Sequence, residues 1–230
     1  MKKIKRIFKF QPFSQKQRMV LNWWCKNSPV KDSDGIIADG AIRSGKTVSM
    51  SLSFIMWAMS SFNGENFAMC GKTIGSFRRN VLSGLKMMLR SRGYTVADHR
   101  ADNLVVITKG DATNYFYIFG GKDERSQDLI QGITLAGVFF DEVALMPESF
   151  VNQATGRCSI DGSKYWFNCN PDGPYHWFKT EWIDKQKEKH LLYLHFTMDD
   201  NLSLSEKIKE RYRSCLLYTS PSPRDKRQSR

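Results

Sequence analysis

The segment Gly40-Ala-Ile-Arg-Ser-Gly45-Lys46-Thr47 satisfies every specified position of G-x-x-x-x-G-K-[ST]. Nothing else in the chain constrains its fold as tightly, because this pattern belongs between a strand and a helix. Both flanks are present. The apolar run Gly35-Ile-Ile-Ala-Asp39 precedes it, and a helical pattern rich in Met, Leu, Phe and Trp follows from Val48 to Ser60. Glycines let the backbone wrap so that successive N–H groups point at phosphate oxygens. Lys46 is expected on the β- and γ-phosphates, and the Thr47 hydroxyl on Mg²⁺. The helix that follows presents its positive end to the same anion. Gly40, Ser44, Gly45, Lys46 and Thr47 are thus the candidate nucleotide-binding residues. The bland alternative is a glycine turn with an exposed lysine.

Magnesium in such a site needs a second anchor, an acid ending a buried strand. Gly137-Val-Phe-Phe140 followed by Asp141-Glu142 supplies one, 95 residues after Lys46. Asp141 is expected to hold Mg²⁺ opposite Thr47, directly or through a water. Glu142 suits a general base that polarises an attacking water. The alternative is that the pair merely caps the next helix, since Pro147 lies close. A dedicated glutamate favours hydrolysis of ATP over transfer to a small-molecule hydroxyl. The strands between loop and acid leave room for one of them to be inserted between the two motif strands.

The rest of the pattern alternates. Helices are expected at Ser14–Lys26 with Ser14 as N-cap, Ser76–Arg90, Pro147–Arg157 and around Trp177–Glu188. Strand-like runs lie at Asn66–Cys70, Leu104–Thr108, Asn114–Phe119, Ala136–Phe140, Lys164–Asn168 and Leu191–Phe196. The expected fold class is α/β, a P-loop NTPase with a mostly parallel sheet flanked by helices (ASCE-type). No internal repeat is evident.

Net charge is +12 over 230 residues. Five of those charges precede Phe10, in a basic arm spanning residues 1–13, and three net charges fall in the last sixteen residues. The body is only mildly basic, so charge alone argues weakly for a nucleic-acid partner. The five cysteines are scattered without a C-x-x-C pair, against a zinc site or a disulfide framework and in favour of a reducing cytosol. No apolar run is long enough to span a membrane, and no membrane partner is expected. His99, His176, His190 and His195 have no partners at metal spacing. Asp199-Asp200 reads as a turn cap rather than part of a two-metal centre.

The stretch Ile130-Gln-Gly-Ile-Thr-Leu-Ala-Gly-Val-Phe-Phe-Asp-Glu-Val-Ala-Leu-Met-Pro-Glu-Ser-Phe-Val-Asn-Gln-Ala-Thr-Gly-Arg-Cys158 resembles the large subunits of tailed-phage terminases, most closely the PBSX-type branch. So do Tyr165-Trp-Phe-Asn-Cys-Asn-Pro-Asp-Gly-Pro-Tyr-His-Trp-Phe178 and Phe196-Thr-Met-Asp-Asp-Asn-Leu202, and the likeness covers nearly all of Gln11 to Arg213. The resemblance implies an ATP-driven motor that packages double-stranded DNA into a capsid in the host cytoplasm. It implies a homo-oligomeric ring, a small terminase subunit and a portal protein as partners. It also implies a C-terminal nuclease domain with two metals. Gly40–Thr47 match the family's phosphate loop, and Asp141 with Glu142 its magnesium acid and catalytic glutamate. Asn170 falls where the family's coupling motif senses the γ-phosphate, the alternative being an Asn-Pro turn residue. Arg43 suits a cis arginine finger on the γ-phosphate. Phe10-Gln-Pro-Phe-Ser-Gln-Lys-Gln17 resembles the adenine-reading segment of related motors, with Gln17 on the adenine edge; a helix-surface glutamine is the alternative. Arg78, Arg79 and Arg157 read as solvated helix residues rather than trans fingers.

Cys215-Leu-Leu-Tyr-Thr-Ser-Pro-Ser-Pro-Arg-Asp225 breaks with everything before it and resembles translated sequencing-adapter DNA. The reading frame is therefore expected to be lost near Ser214, with residues 14–214 an ATPase domain, residues 215–230 a non-native disordered tail, and the nuclease domain cut off. Two other readings share the motifs: a helicase-like DNA translocase, and a nucleotide-binding switch or assembly module without turnover. A dedicated Glu142 separates the last from an enzyme.

Overall fold

The computed structural model describes residues 10–219, apart from 123–125, 127, 129 and 171–172. Its elements run α1 (Gln15–Asn22), β1 (Gly35–Gly40), α2 (Lys46–Ser61), β2 (Asn66–Gly71), α3 (Ile74–Phe77), a π-helical turn (Arg78–Leu82), α4 (Ser83–Ser91), β3 (Thr95–His99), β4 (Leu104–Lys109), β5 (Ala112–Gly120), β6 (Gly137–Asp141), α5 (Glu148–Gly156), β7 (Lys164–Asn168), β8 (Leu191–Phe196) and α6 (Glu206–Thr219). The expected α/β class with a mostly parallel sheet is what the chain adopts. Eight strands form one sheet in the order β3-β4-β5-β2-β6-β7-β1-β8. The β3-β4 and β4-β5 pairs are antiparallel and every other pair is parallel.

The parallel centre is built from strands buried on both faces. In β1 and β6 every residue is buried, as expected when helices cover both sides of a parallel sheet. Alternate residues feed two cores. Ile36, Phe67, Phe139 and Trp166 face α1, α2 and α4, whereas Ile37, Phe140 and Phe167 face α5 and the segment bearing Phe178 and Trp182. The first core is aromatic: Phe54 and Trp57 of α2 sit 5.3 Å and 4.8 Å from the Trp166 ring. Gly137 opens β6 without a side chain because a Cβ there would lie 2.6 Å from the Trp57 ring.

Three expectations are corrected. The strand inserted between β1 and β6 is β7, which follows the acid in the chain, not one of the strands between loop and acid. Trp166 and Phe167 give β7 an apolar residue for each core, whereas β4 buries only alternate residues and suits the half-covered antiparallel end. β3 is missing from the strands expected above, because Thr95-Val-Ala-Asp-His99 is short and mostly polar. The helix expected around Trp177–Glu188 is a single π-helical turn, Lys179–Ile183, leading into irregular turns.

The boundary expected at Cys215 falls inside α6, whose backbone is helical as far as Thr219, the last described residue. Residues 220–230 and the basic arm 1–9 lie outside the described residues. Among the described residues no helix is long and apolar enough to cross a membrane, and no group of three or more His, Cys, Asp or Glu residues is placed to hold a metal ion.

Candidate nucleotide site

The loop between β1 and α2 turns at the carboxyl end of the sheet, where ligands bind open α/β sheets. Its shape depends on left-handed backbone. Gly40 has φ +108° and Gly45 φ +83°, which glycine adopts freely, while Arg43 takes φ +62° as a non-glycine residue. Helix α2 begins at Lys46, with Gly45 as N-cap and no side-chain cap, so its first N–H groups stay available to an anion. Lys46 is buried. Its Nζ donates to the carbonyls of Gly40 (2.8 Å) and Ala41 (2.7 Å) and to Ser44 Oγ (3.3 Å), so the loop closes around the ammonium. Burial holds the Lys46 pKa below its ordinary value, offset in part by Cys169, Asp39 and Asp141.

Opposite the loop, three side chains meet. Thr47 Oγ1 donates to Asp141 Oδ1 (3.2 Å), and Asn168 Nδ2 donates to both Asp141 Oδ1 (2.6 Å) and Thr47 Oγ1 (2.9 Å). The topology explains the meeting. Asp141 ends β6, Asn168 ends β7, and the two are partners in register across the parallel pair. Burial pushes the Asp141 carboxyl up to about 6; the Asn168 hydrogen bond opposes this, the nearby Glu142 charge adds to it, and Thr47 and Lys46 oppose it again. The Asn168 Oδ1 atom is buried, with no hydrogen-bond partner among the described residues. Thr47 and Asp141 thus present hard oxygen atoms in one place, which is the donor chemistry Mg²⁺ accepts, while the Asn168 amide faces both as a hydrogen-bond donor.

Glu142 follows in the left-handed region (φ 58°, ψ 48°), exposed, and lines the same cavity of about 340 Å³ as Arg43 to Val48, Asn168, Asn170 and Asn201. Non-glycine residues held in this conformation concentrate at functional sites. Asn170 is exposed on that wall, two residues beyond the end of β7. Asn168, which the sequence reading did not single out, is the asparagine in register with Asp141. Arg43 carries its guanidinium 5.7 Å from the Tyr212 ring on α6.

Gln17 is buried, not a surface residue as the alternative reading had it. It occupies N3 of a capping box with Ser14: Gln17 Oε1 accepts from the Ser14 N–H (2.9 Å), and Ser14 Oγ accepts from the Gln17 N–H (3.2 Å). Its Nε2 packs on Gly45, where any Cβ would come within 2.3 Å of it. Together with Phe10, Pro12, Phe13, Val48 and Asn201, Gln17 lines a second cavity of about 230 Å³ that shares Gly45, Val48 and Asn201 with the first.

A glycine loop and lysine after β1, an acid ending β6, and a strand inserted between them define a P-loop NTPase fold of the inserted-strand type. Residues 37–215 match the family described as "Terminase large subunit, T4likevirus-type, N-terminal". The large terminase of a thermophilic bacteriophage is 72% identical over 88% of this chain, with a TM-score of 0.86. Structures of that terminase with ADP (69% identity, TM-score 0.85) and with ATP-γ-S (68%, TM-score 0.83) match over the same share of this chain. The chain belongs to the terminase large subunit family. It spans about half the length of these relatives. The ATPase domain of the large terminase of Thermus phage P74-26 shares the fold at 18% identity, with a TM-score of 0.60 over 91% of this chain and 94% of that one. Comparison with curated protein sequences finds no match. The matched family's description names the T4-like type and does not speak to the PBSX-type branch expected from sequence.

Proposed function

We propose that this chain is the ATPase motor domain of a terminase large subunit, hydrolysing ATP in the presence of Mg²⁺ to drive double-stranded viral DNA into a capsid. The observation that carries the reading is the Thr47–Asp141–Asn168 cluster facing the Gly40–Thr47 loop. The ADP and ATP-γ-S complexes of the thermophilic phage's terminase support it.

In this reading the loop N–H groups and the start of α2 bind the phosphates, and Lys46 exchanges its carbonyl partners for β- and γ-phosphate oxygens. Thr47 and Asp141 hold Mg²⁺, which when bound offsets the charge gathered on the phosphates. Glu142 takes the proton of the attacking water. Asn168 fixes Asp141 and Thr47 from the end of β7, while Asn170, on the same wall, donates to the γ-phosphate or the water. Arg43 reaches the γ-phosphate by leaving Tyr212. Gln17 offers its Nε2 amide group, with its two N–H donors, toward the adenine, because its Oε1 is committed to Ser14. The Ile130–Cys158 stretch keeps PBSX-type as our narrower assignment. A homo-oligomeric ring, a small terminase subunit, the portal protein and the host cytoplasm belong to the same proposal.

The test is Mg²⁺-dependent phosphate release from ATP, with and without double-stranded DNA, beside the Glu142→Gln protein. Turnover lost in the variant, and stimulated by DNA in the parent, is expected. Tight ATP binding without turnover in either protein would favour a switch.

A further inference from the structure

The loop residue Arg43 pairs an unfavourable backbone conformation with a tether from a distant part of the chain. Its φ of +62° places a side-chain-bearing residue where glycine is at ease. Its carbonyl accepts a hydrogen bond from Asn201 Nδ2 at 2.7 Å, across 158 residues. Asn201 also stands 3.6 Å from where a Cβ on Gly45 would lie.

Asn201 is itself held from several sides. Its Oδ1 accepts from the Ser203 N–H (3.1 Å) and hydroxyl (2.5 Å), which leaves the amide NH₂ turned to the loop. The preceding 3₁₀ turn, Met198–Asp200, is fixed by a capping box between Thr197 and Asp200. Asp200 accepts from Lys16 of α1 (3.0 Å), and Asp199 from Arg213 of α6 (2.7 Å). The acidic pair is therefore more than a turn cap: it anchors the residue that follows to two helices.

We infer that Asn201 is a positioning residue for nucleotide binding, which holds the phosphate loop in its binding conformation by restraining Arg43 in the left-handed region. The inference rests on the loop binding a nucleotide, as proposed above. Without the tether, Arg43 relaxes toward ordinary helical or extended backbone, and the N–H groups of the loop no longer converge on the phosphates. Glycine at position 43 has no such preference to resist, so its loop needs the tether less.

The experiment is a titration of the 230-residue chain with a fluorescent ADP, N-methylanthraniloyl-ADP, in a double-mutant cycle. ADP lacks the γ-phosphate, which removes the proposed catalytic role of the Arg43 side chain from the readout. Asn201→Ala is expected to raise Kd about fivefold or more in the parent and in an Arg43→Ala background, and less than about twofold in an Arg43→Gly background. Asn201→Ser, too short to reach the carbonyl, carries the same expectation should the alanine variant melt early. An equal loss in all three backgrounds, or no loss in the parent, overturns the inference. Failure of the parent chain to bind ADP overturns the nucleotide reading and the tether with it, an outcome distinct from intact binding without coupling.

Discussion

The Asn168 amide donates to Asp141 at 2.6 Å and to Thr47 at 2.9 Å, tying the end of the inserted strand to both proposed magnesium ligands. Removing it leaves a buried carboxylate short of a donor, at a cost of about 1–3 kcal/mol. Asn168→Ala should therefore lower the melting temperature. It should also reduce kcat on the order of a hundredfold while ADP affinity changes little. Calorimetry and steady-state kinetics check both, and unchanged kcat would remove Asn168 from the catalytic arrangement.

Lys46 and Glu142 face the same cavity with different tasks. Lys46→Ala should abolish nucleotide binding, because the variant loses the ammonium around which the loop closes. Glu142→Gln should bind ATP as the parent does and lose turnover by about a thousandfold, as expected on removing a general base. Equilibrium binding beside single-turnover hydrolysis separates the two. Equal loss of binding in both would count against the role given to Glu142.

Ser53 is a structural hub remote from the chemistry. Its hydroxyl accepts from Trp24 Nε1 and Trp166 Nε1, both at 3.2 Å, and donates to the Val20 carbonyl at 2.5 Å. Ser53→Ala strands two indole donors, one of them fully buried, and should cost about 2–3 kcal/mol. Ser51, whose hydroxyl among the described residues bonds the Val48 carbonyl one turn back on its own helix, should tolerate alanine with little loss. Urea unfolding of the two variants, side by side, reads the difference.

Asp98 on β3 receives Lys86 Nζ at 2.7 Å and Arg78 Nη1 at 2.5 Å. Burial alone would raise its pKa, but the hydrogen bonds from Lys86 and Arg78 outweigh it and hold the carboxyl below its ordinary value. A depressed folded pKa means the stabilisation is present at neutral pH. It is lost as the pH falls from about 3.9, the unfolded value, through the lower folded one. Asp98→Asn should destabilise by at most about 1 kcal/mol at neutral pH, after solvent screening, and the gap should close in acid. Melting curves from about pH 7 down to about pH 3 test this; a gap that widens on acidification would contradict the sign.

What could be read in advance follows from how local each signal is. Gly40–Thr47 and Asp141-Glu142 are contiguous patterns whose chemistry requires particular residue types at fixed spacing, and Ser14 with Gln17 carries a capping signature within a single turn. Asn168 and Asn170 show where this stops. Both sit at the exit of one strand with a single residue between them, and only the point where β7 ends decides which one is in register with Asp141. Strand order is likewise non-local. That β7, rather than β4 or β5, lies between β1 and β6 depends on which strand offers an apolar side chain to each core. The Asn201–Arg43 contact joins residues too far apart for any local pattern to announce it.

One cavity beside the phosphate loop is lined by Phe10, Gln11 and Gln17 from the start of the described chain and by Asn201 and Ser203 from near its end. A ligand seated there acts as a non-covalent staple, closing a loop of almost the whole domain. Its binding free energy then opposes fraying from both ends at once. Occupancy of this cavity and the protection from proteases of the segments around Phe10 and Ser203 should therefore rise and fall together.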